Sequence, residues 1–450
     1  MGRLADLLAD YRGFDRAVYV VLVARFVNVL GNGIVYPYFT IHFYQTLSIP
    51  FSVVGTALFA NNLALATGTL AGGVLADRYG RKPVMVASMA GSAVALSAYA
   101  LVTTGAALVA VAGAAGFAGG LYTPASQAAL ADLTESAARD RVFGLLKVVS
   151  NGGFGAGFVA GGVLYGAART GIFVVDGVTS GVVAVVLAVA LPRLRGGTDG
   201  ALRGTLGNWR AAVSRPRLLA LAGLNVVFAV AYAQMGSTVP AFATDQLGLS
   251  SAELGALYVL NPLVVVLFQL PTVSAVEAWR RTRGLVLSAG FWAASFVAVL
   301  VAYEAPVAVG VGLVGAFLVL RTIGENLHSP LVTALGSDLS DAEGRGAGLS
   351  VLEVAKRVGF GVGPLVGGVF FDYGVDVLLW PALVGACLLL VVGLLAFERS
   401  LSPFENGMAG AMNPVLSRSD PPESDGSQPK RTGRRGTAPK QTAAVTAKPT

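Results

Sequence analysis

Three groups of charged and polar side chains sit where the chain is otherwise apolar, and chemistry would have to occur there. Arg321, Glu325 and His328 stand at i, i+4 and i+7, on one face of a helix. Glu353, Lys356 and Arg357 stand at i, i+3 and i+4, and Arg25, Asn28 and Asn32 at i, i+3 and i+7. A charge at the centre of a membrane span costs about 2.5–3.5 kcal/mol on insertion scales, so it faces a partner or a water-filled cavity. Counting from the span ends puts Arg25, Glu325, Glu353 and Arg357 at similar depths. Proton transfer and ion pairing are both open to them. Desolvation favours a neutral carboxyl and a neighbouring arginine favours the ionised form, so the state of Glu325 depends on which neighbour prevails. A static pair of Glu325 with Arg357 or Arg321 is the structural alternative. Asp176 is expected to pair with Arg169, or to bond to a neighbouring helix, rather than to carry a proton.

These groups are positioned by membrane spans. The chain has 450 residues, 54% hydrophobic and 13% charged, against about 25% charged in soluble domains. Apolar runs long enough to cross a bilayer, about 20 residues each, recur at 17–41, 52–75, 83–103, 106–130, 143–167, 171–192, 218–243, 254–276, 284–303, 306–332, 347–371 and 375–397. The segment Met1–Arg16 is charged, and the first apolar run exceeds the roughly 7–15 residues of a signal-peptide core, so no cleaved leader is expected. Cys387 is the single cysteine, which excludes a disulfide within the chain. No phosphate-binding loop, zinc-ligand spacing or nucleophile triad is present, so no catalytic residue, metal site or cofactor is expected.

The net charge of +7 would suit nucleic acid, but its placement argues for topology instead. Arg3, Arg12, Arg16, Arg78, Arg81 and Lys82 fall on one side, with Arg139, Arg141, Lys147, the arginines of 193–217, and Arg280, Arg281, Arg283 and Arg345. The loops of the other side carry only Arg169. By the positive-inside rule this predicts a multi-pass cell-membrane protein with both termini cytoplasmic and no nucleic-acid partner.

The chain also repeats itself. Leu121-Tyr122-Thr123-Pro124 is echoed by Leu327-His328-Ser329-Pro330, 206 residues later. At the same shift Asp132 matches Asp338, Arg139 matches Arg345, and Gly153, Gly157, Gly161 and Gly162 match Gly359, Gly363, Gly367 and Gly368. At a shift of 200, Gly55 pairs with Gly255, Asn61 with Asn261 and Asp77 with Glu277. Two similar halves are expected: a cytoplasmic segment 1–16, a six-helix bundle 17–192, a basic linker 193–217, a second bundle 218–397 and a disordered basic tail 398–450. Residues Leu206–Val213 of the linker are read as a short amphipathic helix on the membrane surface. The tail lacks the apolar side chains to offset ordering entropy.

Between spans 2 and 3 the chain reads Gly73-Val74-Leu75-Ala76-Asp77-Arg78-Tyr79-Gly80-Arg81-Lys82. Gly73 and Gly80 would allow close helix approach and a tight turn, and Asp77 could cap a neighbouring helix amino terminus. The stretch resembles the G-x-L-A-D-R-x-G-R-K loop of the major facilitator superfamily. Gly144, Gly153, Gly157, Phe158, Gly161 and Gly162 resemble that family's antiporter motif, with Phe158 where proline is usual, while Gly363, Pro364, Gly367 and Gly368 keep the proline in span 11. Gly324-Glu325 through Pro330 resembles a G-E-x-x-x-x-P stretch in span 10 of drug:proton antiporters.

The resemblance covers residues 15–398 and implies an all-α membrane fold of twelve helices in two pseudo-symmetric bundles. It implies a substrate site at their interface and alternating access. It implies that Asp77 and Arg81 help latch the halves outward-facing, Asp77 reaching toward span 11. Spans 1, 4, 7 and 10 would line the cavity, offering Asn28, Asn32, Tyr36, Tyr38, Tyr122, Tyr232, Gln234 and His328. Glu325 would be the first proton-coupling candidate, with Arg321, Arg25, Glu353 and Arg357 around it. Span 1 has no acid, Ala112 stands where span 4 often has arginine, and Phe158 replaces proline; each departs from a standard multidrug exporter. Buried charges lean positive, which suits neutral or anionic amphiphiles. The expected function is proton-coupled efflux of small organic molecules by a monomer in the lipid bilayer, driven by the proton gradient. An uptake carrier or facilitator for an anion or sugar, and a non-transporting sensor or scaffold, are the alternatives.

Overall fold

The computed structural model describes residues 13–194, 209–341 and 344–408. Twelve helices in it are long and apolar enough to cross a membrane. In chain order they are α1 (Arg16–Val35), α2 (Phe51–Tyr79), α3 (Arg81–Ala98), α4 (Gly105–Asp132), α5 (Arg139–Ala167) and α6 (Gly171–Ala190) in the first half. The second half holds α7 (Pro216–Ala233), α8 (Ser251–Tyr258, resumed as Leu260–Ala275), α9 (Arg281–Ala302), α10 (Val307–Asp338), α11 (Arg345–Asp372) and α12 (Leu379–Glu398). Several run past the apolar stretch that marks them. Helices α2 and α4 continue through Arg78 and Asp132, because a helix satisfies its own backbone wherever the surroundings cease to be apolar. The arginine-rich loops share one face of the molecule, the basic face; Arg169 lies on the opposite face.

The two halves are built alike. Helices α1, α2 and α3 begin at Arg16, Phe51 and Arg81, and α7, α8 and α9 at Pro216, Ser251 and Arg281. Asn61 donates from α2 to Ala112 O on α4 at 3.0 Å, and Asn261 from α8 to Thr322 Oγ1 on α10 at 2.8 Å. Helices α1 and α7 break at matching positions. After Val35 the chain turns at Tyr36–Pro37 and resumes as Tyr38–Thr40 and a π-helical turn, Ile41–Thr46. After Ala233 it tightens to a 3-10 turn, Gln234–Gly236, and resumes as Thr238–Asp245. Breaks at corresponding places in two repeats mark where transporter folds put their binding sites.

Glycines bring the helices together. In α5, Gly153, Gly157 and Gly161 lie against the α1 backbone; in α11, Gly359 and Gly363 lie against α7, and Gly367 against the side chains of Gln234 and Thr238 just beyond it. Gly162 and Gly368, one residue further on, face the other half. A Cβ on Gly162 would stand 2.7 Å from Ser251 O, and one on Gly368 would stand 2.6 Å from Phe51 C. Gly55 answers on α2, with Leu365 Cα 2.5 Å from its missing Cβ. Pro364 lies beside that contact, in the interior of α11. The contacts of Gly162, Gly368 and Gly55 between the halves lie toward the opposite face. There the halves are also joined by hydrogen bonds from Tyr38 to Ser251 O (3.0 Å) and from Gln45 to Thr244 (2.8 Å). Asp372, at the end of α11, accepts from the Phe51 and Ser52 backbone N–H groups (2.7 and 2.9 Å), capping α2 from across the interface.

Two expectations are corrected here. Gly73 does not mediate a close approach, since a Cβ there would meet open space; its neighbour Gly72 packs on α4, 2.7 Å from Leu121 Cα. The tight turn expected at Gly80 is present, at φ 95°, with Asp77 and Arg78 within α2. Residues 398–408, expected at the head of a disordered tail, close off α12 and fold back on the basic face. Asn406 Oδ1 accepts from Thr282 N at 3.0 Å, and Glu405 accepts from Arg217 at 3.0 Å. Residues 409–450 and Leu206–Gly207–Asn208 lie outside the described residues, so the proposed amphipathic helix is described only over 209–213, which are helical.

Replacing Gly368 by valine would force α2 and α11 apart; overpacking of this kind costs roughly 1–3 kcal/mol. Spin labels on the opposite-face ends of α2 and α11 should then show a longer separation by pulsed electron resonance. Gly73→Val, made where space is open, should change neither that distance nor Tm.

Candidate substrate cavity and its charged walls

Closure at the opposite face leaves a cavity of about 770 Å³ between the halves. It ends at the helix breaks, against Tyr36, Phe158 and Met235. It runs toward the basic face as far as Lys147, Thr333 and Leu349, each within about two turns of a helix end there. The chain is therefore captured open toward the basic face. A second lobe of about 440 Å³ extends into the first half and shares Tyr36, Phe154, Arg357 and Phe360 with the main cavity. Tyr36 joins the two halves here: its ring packs on Gly236, where a Cβ would stand 2.5 Å from Cζ.

Glu325 projects into the main cavity from α10. Its carboxylate accepts from Tyr232 OH at 2.6 Å and from Arg321 Nη1 at 2.9 Å. Arg321 is 1% exposed and Glu325 is 23% exposed, so the pair hides its cation and shows its anion to the cavity. The Arg321 guanidinium lies 3.9 Å from the Tyr232 ring centroid, a cation–π contact in a desolvated setting. Its Nε and Nη2 have no hydrogen-bond partner among the described residues. The alternative pair of Glu325 with Arg357 is not formed. Arg357 binds Glu353 at 2.9 Å, and Lys356 binds the same carboxylate at 2.5 Å. Each of the three pairings lies within one helix, at i, i+4 for Arg321–Glu325 and Glu353–Arg357 and at i, i+3 for Glu353–Lys356.

The other candidates separate into two sets. Arg25, Asn28, Asn32, Tyr36 and Tyr122 all line the lobe. Arg25 Nε donates to Ser150 Oγ at 3.1 Å, and no carboxylate faces it among the described residues. Tyr232 and His328 line the main cavity. His328 is held by Asn225 at 3.0 Å and by the Phe228 ring, so its role in this conformation is packing. Gln234 lines neither space and corrects the expectation. It is fully buried and spends its amide on Val230 O (2.9 Å) and Thr238 (2.8 Å), bracing the break in α7. Tyr38 likewise faces the seam.

The charged loop is engaged within the first half. Arg81 binds Asp77 at 2.6 Å and Asp132 at 3.2 Å, and Lys82 donates to Leu191 O at the end of α6 at 2.6 Å. Arg78 stacks on its neighbour Tyr79. Asp77 thus pairs with Arg81 rather than reaching α11, which accords with a molecule open on that face. Arg281 pairs with Asp338 as the second half's counterpart of Arg81 and Asp132.

The Major Facilitator Superfamily model matches twice, over residues 21–244 and 224–439, once for each half. The chain belongs to this superfamily. It is accordingly a multi-pass membrane transporter and not an enzyme. Among its relatives, the MFS-type transporter YttB of Bacillus subtilis strain 168 is 26% identical over 88% of this chain and 99% of its own. The multidrug resistance protein MdtH of Photorhabdus laumondii is 32% identical over 32% of this chain and 36% of its own. The crystal structure of the nucleoside transporter NupG superposes with a TM-score of 0.73 over 86% of this chain and 100% of its own, at 16% identity, which is a likeness of fold.

Two functional features of this superfamily member escaped the sequence. Lys147 lines the mouth of the cavity without a carboxylate partner among the described residues; in the sequence it reads as one more topogenic charge. Asp372 bonds a helix end 321 residues away, a pairing that no local pattern announces. Arg321→Leu is expected to lower Tm in detergent, because it leaves Glu325 with Tyr232 alone. Adding Glu325→Leu should recover part of the loss, and the double-mutant cycle should return a coupling of about 1–3 kcal/mol.

Proposed function

We propose that this chain exports small, neutral or anionic amphiphiles across the cell membrane in exchange for protons, with Glu325 as the coupling carboxylate. The observation that carries this reading is the placement of Glu325. It is the partly exposed member of a buried pair, on the cavity wall, within reach of both Arg321 and the cargo space. Protonation would cancel its charge attraction to Arg321 and weaken the bond it accepts from Tyr232, altering the wall that the cargo meets. Cargo and proton then compete for one cavity, which is what exchange requires. The partial likeness to a protein named for multidrug resistance supports the direction.

The basic face would be cytoplasmic by the positive-inside rule, with both termini on that side. The aromatic walls at Phe154, Phe228, Trp292 and Phe360 suit an apolar body. Arg25 and Lys147 offer cationic groups for a negative or strongly dipolar end. The same two cations favour a second reading, uptake of an organic anion, which the direction of flux separates from export.

The test is proton movement in proteoliposomes under an imposed pH gradient. Anionic amphiphiles, sugars and amphiphilic drugs are added one class at a time to wild type and to Glu325→Gln. Substrate-triggered proton flux that the variant loses supports the coupling role. Transport with no proton movement, or with equal proton movement in Glu325→Gln, removes it.

A further inference from the structure

The lobe in the first half contains a carboxyl that export through Glu325 does not use. Asp176, on α6, is 1% exposed. Neither Arg169 nor a polar group of a neighbouring helix bonds to it, contrary to the sequence expectation. Among the described residues it has no ion-pair partner, and its Oδ1 has no hydrogen-bond partner. Asp176 lines the lobe, and so do the hydroxyls of Ser92 and Tyr122, which are equally buried and equally unpartnered. The pocket is built for the side chain: a Cβ on Gly31 would collide with Asp176 Oδ1 and Thr179 Oγ1.

An anionic carboxylate cannot be kept in such a place without a cation or donors, because desolvation would be uncompensated. We infer that Asp176 is a second proton-binding site, filled in this conformation from water in the lobe. The carboxylate oxygen takes a proton from the aqueous cavity, and the neutral acid is what the apolar surroundings hold. The site is shielded from the opposite face by a plug of rings, Phe39, Phe43, Tyr99 and Phe173, in mutual contact.

The ionisable groups around it are few. Tyr99 stands beside it, following α3, and His42 lies beyond the plug, edge-on to Phe173 at 5.0 Å. Tyr165 on α5 is behind His42. On α1, Arg25 sits six residues, or about 9 Å, nearer the basic face than Gly31, beside Tyr122 of α4. Arg357 occupies the lobe wall from the second half. No cation among these makes an ion pair with Asp176, so a proton is the counter-charge it takes.

Infrared difference spectroscopy on the purified full chain in lipid tests this without any transported substrate. Wild type should show the carbonyl stretch of a protonated, buried carboxyl in neutral buffer. The band should vanish in Asp176→Asn and persist in Glu325→Gln, which separates this site from the coupling role proposed above. A hydrophobic carbodiimide gives a second reading on wild type alone, with Asp176 modified by peptide mapping and the rate falling as pH rises. An unchanged spectrum in Asp176→Asn, or no modification of Asp176 at acidic pH, overturns the inference. So does discharge of the band by sodium or lithium at fixed pH, which would make the lobe a monovalent-cation site.

Discussion

The fold depends on backbone lying against backbone at the seam between the halves. Gly55 meets Leu365, Gly368 meets Phe51, Gly162 meets Ser251 and Gly255 meets Phe158. In lipid no hydrophobic gain draws helices together, so close van der Waals packing has to hold the seam, and only residues without side chains permit it. Because the contact is confined to one end of the helices, closing it opens a wedge at the other end. The cavity is that wedge. The repeat explains why the seam has two equivalent halves: α2 against α11, and α5 against α8.

The ion pairs are arranged so that the halves can move without breaking them. Arg321 with Glu325, Arg357 with Glu353, and Arg81 with Asp77 each lie within one helix or at its end. Separating a buried pair is costly because it strands an uncompensated charge. Here a rigid rotation of one half carries both partners together. What crosses the seam is mostly neutral: hydroxyl, amide and backbone groups that water can replace at little cost. Charge shapes the walls of the cavity, and contacts that break no ion pair, the Asp372 cap among them, govern its opening.

The span count, the two-fold repeat and the side-by-side placement of Arg321 and Glu325 were legible because each is written in periodicity. Other features turn on geometry that the sequence does not carry. Gly72 and Gly73 are adjacent, yet about 100° apart around α2, and only Gly72 faces α4. Gln234 looks like a cavity amide until the break in α7 supplies it with partners on its own chain. Glu405 and Asn406 sit in a polar segment whose composition suggests disorder, but each matches a group on the basic ends of α7 and α9. Composition records what a segment contains and not what complements it. Asp176 failed for a related reason: an acid near an arginine in sequence need not meet it in space.

The cap that Asp372 places on α2 makes that helix complete only while the opposite face is shut. When the halves part there, two backbone N–H groups lose their acceptor and must find water instead. A helix cap is worth about 1 kcal/mol, so the molecule carries a small fixed bias toward its present state. A bound cargo or a transferred proton has to offset that contribution, along with the rest of the seam, to reverse the state. One aspartate at a helix end thus adds to the threshold for switching, far from the cavity where the decision to switch is made.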